Sequence, residues 1–331
     1  MRGGKRTTPP RCLSDRSGVL LATNRQDITT DHLVRELRRR SVPFLRLNTE
    51  DLPQTVVTFA ASDMLTGTIT VRGLTHDLAA FRSAYYRRPE LPEIGATASS
   101  EARAYAVQEW SAAARSLWNA LEGRWLNSPF AILRAEDKPR QLAVARACGL
   151  RVPPTVVGND VDAARSFLAA RRCVIKPLRR ALVDDPDGPG QVIFTSELAD
   201  LREEDRAAFE AVPVIVQALI PKRRDVRVTV VDRTAVAVAI HSQAHEETRV
   251  DWRRGERTDL RQERVDLPPA VVAACVAVVQ SLALRFAAID LVEDRDGAFW
   301  FLEANPNGQW AWLEQVEGVE IAATLVDALV Q

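Results

Sequence analysis

Apolar runs and amphipathic segments alternate over the first fifty residues. The run Gly18–Thr23 is apolar throughout and suits a buried strand. Leucines recur at a helical spacing after Thr29 and Thr30, and a second strand-like run, Val42–Leu47, follows. A strand, a helix and a strand in this order predict a parallel sheet, so the fold class is α/β.

Periodicity also divides the rest of the chain. We expect a disordered tail (1–15), an N-terminal α/β domain (16–126), a central domain (127–212) and a C-terminal domain (213–331). Strands are predicted at Val56–Phe59, Thr68–Arg72, Cys173–Pro177, Val192–Thr195, Val214–Pro221, Asp225–Val231 and Ala235–His241. Helices are predicted over 101–121, from Lys138 to Cys148, and over Asp160–Ala170 and Pro269–Ala283.

Two segments near the C-terminus predict a hairpin that carries oxygen ligands. Glu303 and Asn305 are two residues apart, so both side chains leave the same face of one strand. Asp290 can oppose them from the preceding strand. Three converging oxygens suit Mg²⁺, a hard cation that binds nucleotide phosphates. The alternative is that the two carboxylates pair with arginines at a hairpin end.

Composition excludes several classes of protein. The 44 basic and 44 acidic side chains among 331 residues cancel, which argues against non-specific binding to nucleic acid. The longest apolar stretch, Ala270–Val279, is too short for a bilayer, which needs ~20 residues. No signal peptide is visible and the four cysteines lie far apart, so we expect a cytoplasmic protein with free thiols that binds no membrane.

Lysine is scarce: four of the 44 basic residues are lysine and the rest are arginine. A lysine retained in such a chain is a functional lead, although composition noise is the alternative for each one. Lys176 ends a strand before the polar loop 179–190, and Lys138 begins a helix; either can meet a phosphate as a compact charge. Lys5, in the tail, and Lys222, in a basic turn, are expected to be incidental.

The order of these residues resembles the ATP-grasp superfamily of ligases. Narrower segments resemble the microviridin-type peptide maturases, the graspetide macrocyclases. The matching segments are Tyr86–Pro89, Trp125–Pro129, Lys138 with Gln141 and Leu142, Gly149–Thr155, Lys176–Leu178, Asp225–Val231, His241–Gln243, Asp251–Arg253, Ala288–Leu291 and Phe301–Trp310. One departure follows Lys176: ATP-grasp flaps are often rich in glycine, but glycine appears in this loop only at Gly188 and Gly190.

The resemblance implies a three-domain ATP-grasp fold with ATP and Mg²⁺ as cofactors. The residues implied to bind ATP are Lys138, Lys176, Gln217, Ala218, Leu219 and Ile220, the last four forming a hinge for the adenine. Those implied to bind Mg²⁺ are Asp290, Glu303 and Asn305, and those implied to act in catalysis are Arg227, beside the γ-phosphate, and Lys176. An acidic peptide would be held by Arg87, Arg88, Ser242, Gln243, Asp251 and Arg253. For the arginines, pairing within the protein is the alternative.

The implied activity is the ATP-dependent closure of rings in a peptide. Asp or Glu side chains of a ribosomally made precursor, a leader plus an acidic core, are activated as acyl-phosphates and joined to Ser or Thr hydroxyls or Lys amines. A homodimer is also implied. One alternative is an ATP-grasp carboxylate–amine ligase for a free amino acid or a small peptide, and another is a module that binds nucleotide or peptide without catalysis. The intact set of Asp290, Glu303 and Asn305 argues against the latter.

Overall fold

Two units make up the protein. The structure is a computed structural model that describes residues 18–95, 99–179, 182–183, 191–257 and 259–331. The predicted tail, Gly188 and Gly190 lie outside these ranges. One unit comprises residues 1–129 with 322–331, and the other comprises residues 130–321. The boundaries predicted for a central and a C-terminal domain stay predictions.

The first unit is built on a parallel sheet. Its elements are β1 (Gly18–Thr23), α1 (Ile28–Arg39), β2 (Phe44–Asn48), β3 (Val56–Ala61), β4 (Leu65–Val71), β5 (Leu74–Asp77), β6 (Phe81–Tyr86) and α2 (Ser100–Ala120). β1 is buried at every residue and pairs in parallel with β2 and β6, which confirms the predicted start of the fold. β3, β4 and β5 form a separate antiparallel sheet.

A buried ion pair joins the end of β6 to the start of α1. Asp27 caps α1 by accepting a hydrogen bond from Thr29 N at 3.1 Å, and Arg87 Nε lies 3.2 Å from Asp27 Oδ1. Burial would raise the pKa of Asp27, but Arg87 and the hydroxyls of Thr30 and Thr23 lower it below its usual value. Arg87 is 1% exposed. Its guanidinium is therefore engaged by pairing within the protein, the alternative that the sequence left open.

The second unit holds two larger antiparallel sheets. Its elements are α3 (Pro129–Ala135), α4 (Lys138–Ala147), β7 (Thr155–Gly158), α5 (Val161–Leu168), β8 (Cys173–Pro177), β9 (Leu182–Val183), β10 (Gln191–Val192), β11 (Ser196–Leu198), α6 (Arg206–Ala211), β12 (Val214–Ala218), β13 (Lys222–Val231), β14 (Thr234–Ile240), β15 (Gln262–Val265), α7 (Pro269–Ser281), β16 (Phe286–Asp294) and β17 (Phe299–Asn305). The sheets have the orders β11-β8-β12-β7 and β15-β14-β13-β16-β17, and β9 pairs with β10.

Most predicted elements are confirmed, with differences at their ends. The strand predicted at Val192–Thr195 is wrong beyond its first residue, because Thr195 N donates to a carboxylate oxygen of Asp251 at 3.3 Å instead of joining a ladder. α7 ends at Ser281, two residues early, and Ala283 then takes a left-handed φ of 59°. In the described residues, no helix has the length and apolar character needed to cross a membrane.

The last helix, α8 (Ile321–Val330), lies almost entirely in the first unit. Ser83 Oγ donates to Leu329 O at 2.6 Å, and Arg40 Nη1 lies 2.5 Å from Asp327 Oδ1. The sequence analysis predicted no helix here and assigned these residues to the C-terminal domain, 213–331. The periodicity of an apolar helix does not show which sheet it covers.

The β13–β16 ladder contains a bulge that changes which side chains share a face. Lys222 pairs with Asp294 and Arg224 pairs with Glu293, so Arg223 is an extra residue on β13. A bulge shifts the alternation of side chains by one position. Lys222 therefore leaves the sheet on the same face as Asp225, although the two are three residues apart.

A second bulge lies in the β16–β17 hairpin. Asp290 pairs with Glu303 and Leu291 pairs with Phe301, so Leu302 is the extra residue. Glu303 and Phe301 would share a face on a regular strand, and the bulge sends them to opposite faces. The carboxylate consequently faces Asp290 while the phenyl ring is fully buried.

Candidate functional site

A row of three charged side chains crosses the middle of the five-stranded sheet. Arg227 pairs in register with Asp290, and Asp290 with Glu303, so the three leave neighbouring strands on one face. Arg227 Nη1 donates to Asp290 Oδ1 at 2.6 Å. Asn305 follows on the same face, and its Oδ1 accepts a hydrogen bond from Asn307 N at 3.0 Å. The predicted convergence of the three oxygen ligands on one face is present in the structure.

Lys138 and Lys176, the two lysines predicted to meet a phosphate, both lie near this row. Lys138, the first residue of α4, places Nζ 3.1 Å from Glu303 Oε2 and 3.4 Å from Pro177 O. Lys176, on β8, donates from Nζ to Gln217 Oε1 at 3.0 Å and is 9% exposed. Helix and sheet thus bring two cations to the carboxylate end of the row.

Burial and charge shift the pKa values of these groups in different directions. Burial lowers the pKa of Lys176 to about 8, although Glu303 opposes the shift. Burial would raise the pKa of Glu303, but the charges of Lys138, Lys176 and Arg253 outweigh it and lower that pKa to about 2. Burial raises the pKa of Asp290. Glu303 is therefore a permanent anion at neutral pH.

The predicted adenine hinge comprises the last two residues of β12, Gln217 and Ala218, and the next two, Leu219 and Ile220. The N–H of Ala218 donates to Pro154 O and the N–H of Leu219 to a second carbonyl, both at 2.9 Å. No hydrogen bond among the described residues uses the N–H of Ile220. The side chain of Gln217 is turned to Lys176, so a purine would meet the backbone of this hinge.

Buried polar atoms beside the row have no protein partner among the described residues. They are Arg227 Nε and Thr229 Oγ1, on alternate residues of β13. Gly308 leaves room for this guanidinium, because a Cβ at Gly308 would lie 2.3 Å from Ala288 Cβ and 3.2 Å from Arg227 Nη2. An unused buried donor costs stability unless a ligand accepts from it. These donors fit a phosphate oxygen.

The donor set on the row also fits Mg²⁺. It consists of two carboxylates, Asp290 and Glu303, and the amide oxygen of Asn305, all of them oxygen ligands of the kind that Mg²⁺ prefers. Within the ranges that the structure describes, no group of three or more His, Cys, Asp or Glu side chains could hold a metal ion. The site therefore depends on the amide of Asn305 for its third protein ligand.

Of the residues predicted to hold a peptide, Arg253 is the one that the second unit presents to this row. Ser242 is fully buried and donates to Asp225 Oδ2 at 2.5 Å, and Gln243 Nε2 donates to Ser242 Oγ at 3.1 Å. Asp251 accepts from both Nε and Nη2 of Arg253 at 2.8 Å. The side chain of Arg253 is 49% exposed. The first three are engaged inside the protein, while Arg253 reaches solvent.

Arg88 lies in the first unit, next to the buried Arg87. Its carbonyl accepts a hydrogen bond from Asn24 Nδ2 at 2.6 Å, and its φ of 42° is in the left-handed region. The peptide-binding roles assigned to Arg87 and Arg88 by resemblance stay predictions.

Gln141 is a site residue to which the sequence assigned no role. From α4, one turn after Lys138, its Nε2 donates to Ala135 O at 2.6 Å and to Ala304 O at 2.7 Å, and its Oε1 accepts from Ala304 N at 2.9 Å. Ala304 separates Glu303 from Asn305. Gln141 therefore fixes the backbone between the two residues predicted to bind Mg²⁺, and the sequence carries no local signal of this contact because Ala304 is 163 residues away.

Lys222 is a second residue that the sequence misjudged. The expectation that Lys222 lies in a basic turn is wrong, because it lies on β13 and is 8% exposed. Its Nζ donates to both carboxylate oxygens of Asp225, at 2.8 and 2.7 Å, and to Val250 O at 3.1 Å.

The variant Gln141→Leu is expected to lower kcat by about 10- to 100-fold, the usual effect of removing a group that orients metal ligands. It should also weaken the apparent affinity for Mg²⁺, because Glu303 and Asn305 lose their common support. A titration of ATP turnover with Mg²⁺ measures both effects. Gln280→Leu, at an exposed position of α7, is the matched control and should change neither value. A folded Gln141→Leu protein with unaltered dependence on Mg²⁺ would contradict the assignment.

Comparison with known proteins decides the family. Residues 135–329 match the model of the RimK-like ATP-grasp domain. The chain belongs to the RimK-like ATP-grasp family. Residues 18–132 match a second model, the MvdD pre-ATP-grasp domain, which coincides with the part of the chain that carries the parallel sheet.

Solved structures and a curated relative agree with this family. The fold is similar to that of a Chryseobacterium gregarium RiPP-associated ATP-grasp ligase in complex with ADP and a leader and core peptide (TM-score 0.85, 23% identity, 95% of this chain and 96% of the other). It is also similar to macrocyclase MdnB from Microcystis aeruginosa MRC (TM-score 0.77, 26% identity, 95% and 99%). A probable alpha-L-glutamate ligase from Enterobacter sp. (strain 638) is 28% identical over 209 residues, 61% of this chain and 65% of that protein.

These matches confirm the predicted ATP-grasp fold and the resemblance to the peptide-maturing ligases. The protein is an ATP-grasp ligase. Among the similar solved structures, two of the ATP-grasp ligase PsnB contain Mg and ADP (24% and 23% identity).

Proposed function

We propose that this ligase closes rings in a ribosomally made precursor peptide. An Asp or Glu side chain of the peptide attacks the γ-phosphorus of ATP, ADP leaves, and an acyl-phosphate results. A Ser or Thr hydroxyl or a Lys amine of the same peptide then attacks the acyl carbon. Phosphate leaves and an ester or an amide remains, so each ring removes one water from the peptide.

The observation that carries this proposal is the charged row Arg227–Asp290–Glu303 with Lys138 and Lys176 at its end. Phosphoryl transfer needs positioning and neutralisation of charge more than covalent help from the protein, and this row supplies both. A peptide substrate is favoured by the match of residues 18–132 to the MvdD pre-ATP-grasp domain and by the similarity to a ligase bound to a leader and core peptide.

Each residue has a task that follows from its surroundings. Lys138 and Lys176 hold phosphate oxygens, and the backbone from Ala218 to Ile220 holds the adenine. Asp290, Glu303 and Asn305 hold Mg²⁺, which when bound neutralises phosphate charge.

Arg227 is placed to act on the reacting groups, and Arg253 on the peptide. The buried Nε of Arg227 donates to the γ-phosphate, and the same guanidinium stabilises the oxyanion of the second step. Arg253 holds the acidic side chain of the peptide through its exposed side, because guanidinium matches carboxylate geometry.

Incubation with ATP, Mg²⁺ and an acidic precursor peptide, followed by mass spectrometry, tests the proposal. A short reading frame rich in Thr and in Glu or Asp beside the gene would supply that peptide. Loss of a whole number of waters is the expected result. Formation of ADP without any loss of water would sink the proposal. In a parallel incubation that also contains free glutamate, addition of glutamate to the peptide would favour the other candidate, a carboxylate–amine ligase, to which the 28% identical relative points.

We also propose that the protein acts in the cytoplasm as a homodimer. The thiols of Cys148, Cys173 and Cys275 are free, which suits a reducing compartment. The dimer rests on the resemblance to the peptide maturases, and light scattering coupled to size-exclusion chromatography tests it: a monomer at the concentrations used for turnover would contradict it.

A further inference from the structure

The segment Ser242–Arg253 folds around one buried carboxylate. Asp225 accepts hydrogen bonds from Lys222 Nζ on both oxygens and from Ser242 Oγ. Lys222 also donates to Val250 O at 3.1 Å, the residue before Asp251. The ion pair thus holds the segment at its first residue and near its last one.

Further hydrogen bonds close the segment on itself. Thr248 Oγ1 donates to Ser242 O at 2.5 Å, and Gln243 Nε2 donates to Arg249 O at 3.1 Å. Thr248 and Ser242 are fully buried. This stretch has no strand of its own, so these bonds and the ion pair determine its path.

The path ends at Arg253. Asp251 is buried, accepts from Thr195 N and binds Arg253 through Nε and Nη2, which fixes the plane of the guanidinium. Burial alone would lower the pKa of Arg253, but Asp251 and then the carboxylates of Glu303 and Asp290 raise it. Arg253 therefore stands within the field of the metal-binding carboxylates, with Nη1 as the nitrogen that Asp251 does not use.

The bulge at Arg223 makes this anchor possible. On a regular strand, residues three apart face opposite sides, and Lys222 could not reach Asp225. The extra residue puts both on the face that carries Arg227 and Asp290. One face of β13 consequently carries the anchor of the segment and a member of the charged row.

We propose that Lys222 and Asp225 are positioning residues that set Arg253 for the acidic side chain of the peptide. Neither residue touches the substrate. They hold Val250 and Ser242, and Asp251, the residue after Val250, then orients Arg253 through its two hydrogen bonds to the guanidinium. The inference rests on the proposed function, because it assumes that Arg253 meets a peptide carboxylate. A buried ion pair gives little net stability over apolar residues of similar volume, so stability alone does not account for this one.

The test removes both charges together, because either single variant would leave one charge buried and unpaired. In the pair variant Lys222→Met/Asp225→Asn, KM for the peptide is expected to rise about tenfold, since a small misplacement of a positioning group is costly. KM for ATP should stay within about twofold of the wild type, because the lysines and the hinge are untouched. Arg223→Met is the matched control: it removes a cation from the next position, whose side chain is 64% exposed, and should change neither value.

A double-mutant cycle separates positioning from general loss of structure. Arg253→Ala alone should raise KM for the peptide, and adding it to the pair variant should raise KM no further, because both changes remove the same interaction. Additive losses, or a parallel rise in KM for ATP, would overturn the proposal.

A readout without turnover keeps this inference distinct from the proposed function. Amide hydrogen exchange in residues 244–253 should accelerate in the pair variant, while β13 and the Arg223→Met control stay protected. If the wild-type protein closes no rings in any acidic peptide, the proposed function fails, whereas the exchange result still reports on the anchor. Unchanged exchange in this segment would overturn the anchor itself.

Discussion

The variant Glu303→Gln is expected to lower kcat by at least about 10³-fold, because a metal ion at a phosphoryl-transfer site contributes several kcal/mol and each 1.36 kcal/mol is tenfold in rate. Glutamine keeps the size of the side chain and removes the charge that Mg²⁺ requires. The carboxylate also balances Lys138 and Lys176, and its low pKa, about 2, reflects that balance. Steady-state release of ADP measures the loss.

The matched control is Glu293→Gln, on the opposite face of the same hairpin. Glu293 is buried on the face of the sheet opposite the charged row, where it pairs with Arg224 and Arg223. It should keep turnover within about twofold, because a charge on that face is remote from the reaction. Circular dichroism establishes that both variants are folded. Normal turnover by folded Glu303→Gln would refute the metal assignment.

Affinity for ATP is expected to fall about tenfold from about pH 7.5 to about pH 9.5, because Lys176 loses its proton in this range whereas an ordinary lysine does not. The sign follows from burial, which favours the neutral amine and lowers the pKa of Lys176 to about 8. Below that pH the ammonium is present and attracts phosphate, and above it the attraction is lost. Calorimetry at constant Mg²⁺ gives the affinity at each pH.

Two variants of Lys176 test the cause. Lys176→Arg carries a charge throughout this range, so its affinity for ATP should no longer depend on pH. Lys176→Met lacks the charge at every pH and should bind ATP weakly throughout. If the wild-type affinity stays constant up to about pH 9.5, Lys176 either lies away from the phosphates or keeps its proton, since an unperturbed lysine titrates near 10.4.

The most accurate predictions from the sequence rest on the alternation of side chains along single strands. Glu303 and Asn305 lie on one face, Asp290 opposes Glu303, and Lys138 begins a helix, as the pattern indicated. These placements depend on short-range geometry, which the order of residues fixes within a few positions. The family-specific roles of the residues came from resemblance, and no pattern alone supplied them.

Other features could not be predicted from the sequence, for physical reasons that the structure shows. The bulge at Arg223 inverts the face of Lys222, and a one-residue shift of register leaves no trace in the hydrophobic pattern. Gln141 hydrogen-bonds to the backbone of Ala304, 163 residues away, so no local spacing of residues predicts this contact. For Arg87 the sequence left open pairing within the protein, but it could not name the partner, Asp27, which lies 60 residues earlier. Distance in the chain thus hides the partners of Gln141 and Arg87, and the bulge hides the partner of Lys222, which is only three residues away.

The support that Gln141 gives to β17 has a consequence for solubility. β17 is an edge strand, and Phe299, Trp300 and Phe301 give it a strong tendency to pair with other strands. Arg151 O accepts from Phe301 N at 2.8 Å, and Gln141 occupies both backbone groups of Ala304. Together they cap the outer edge, where an unpaired strand would recruit other chains into aggregates. The contacts that hold the metal ligands in place thus also keep an aggregation-prone strand from pairing with its own copies.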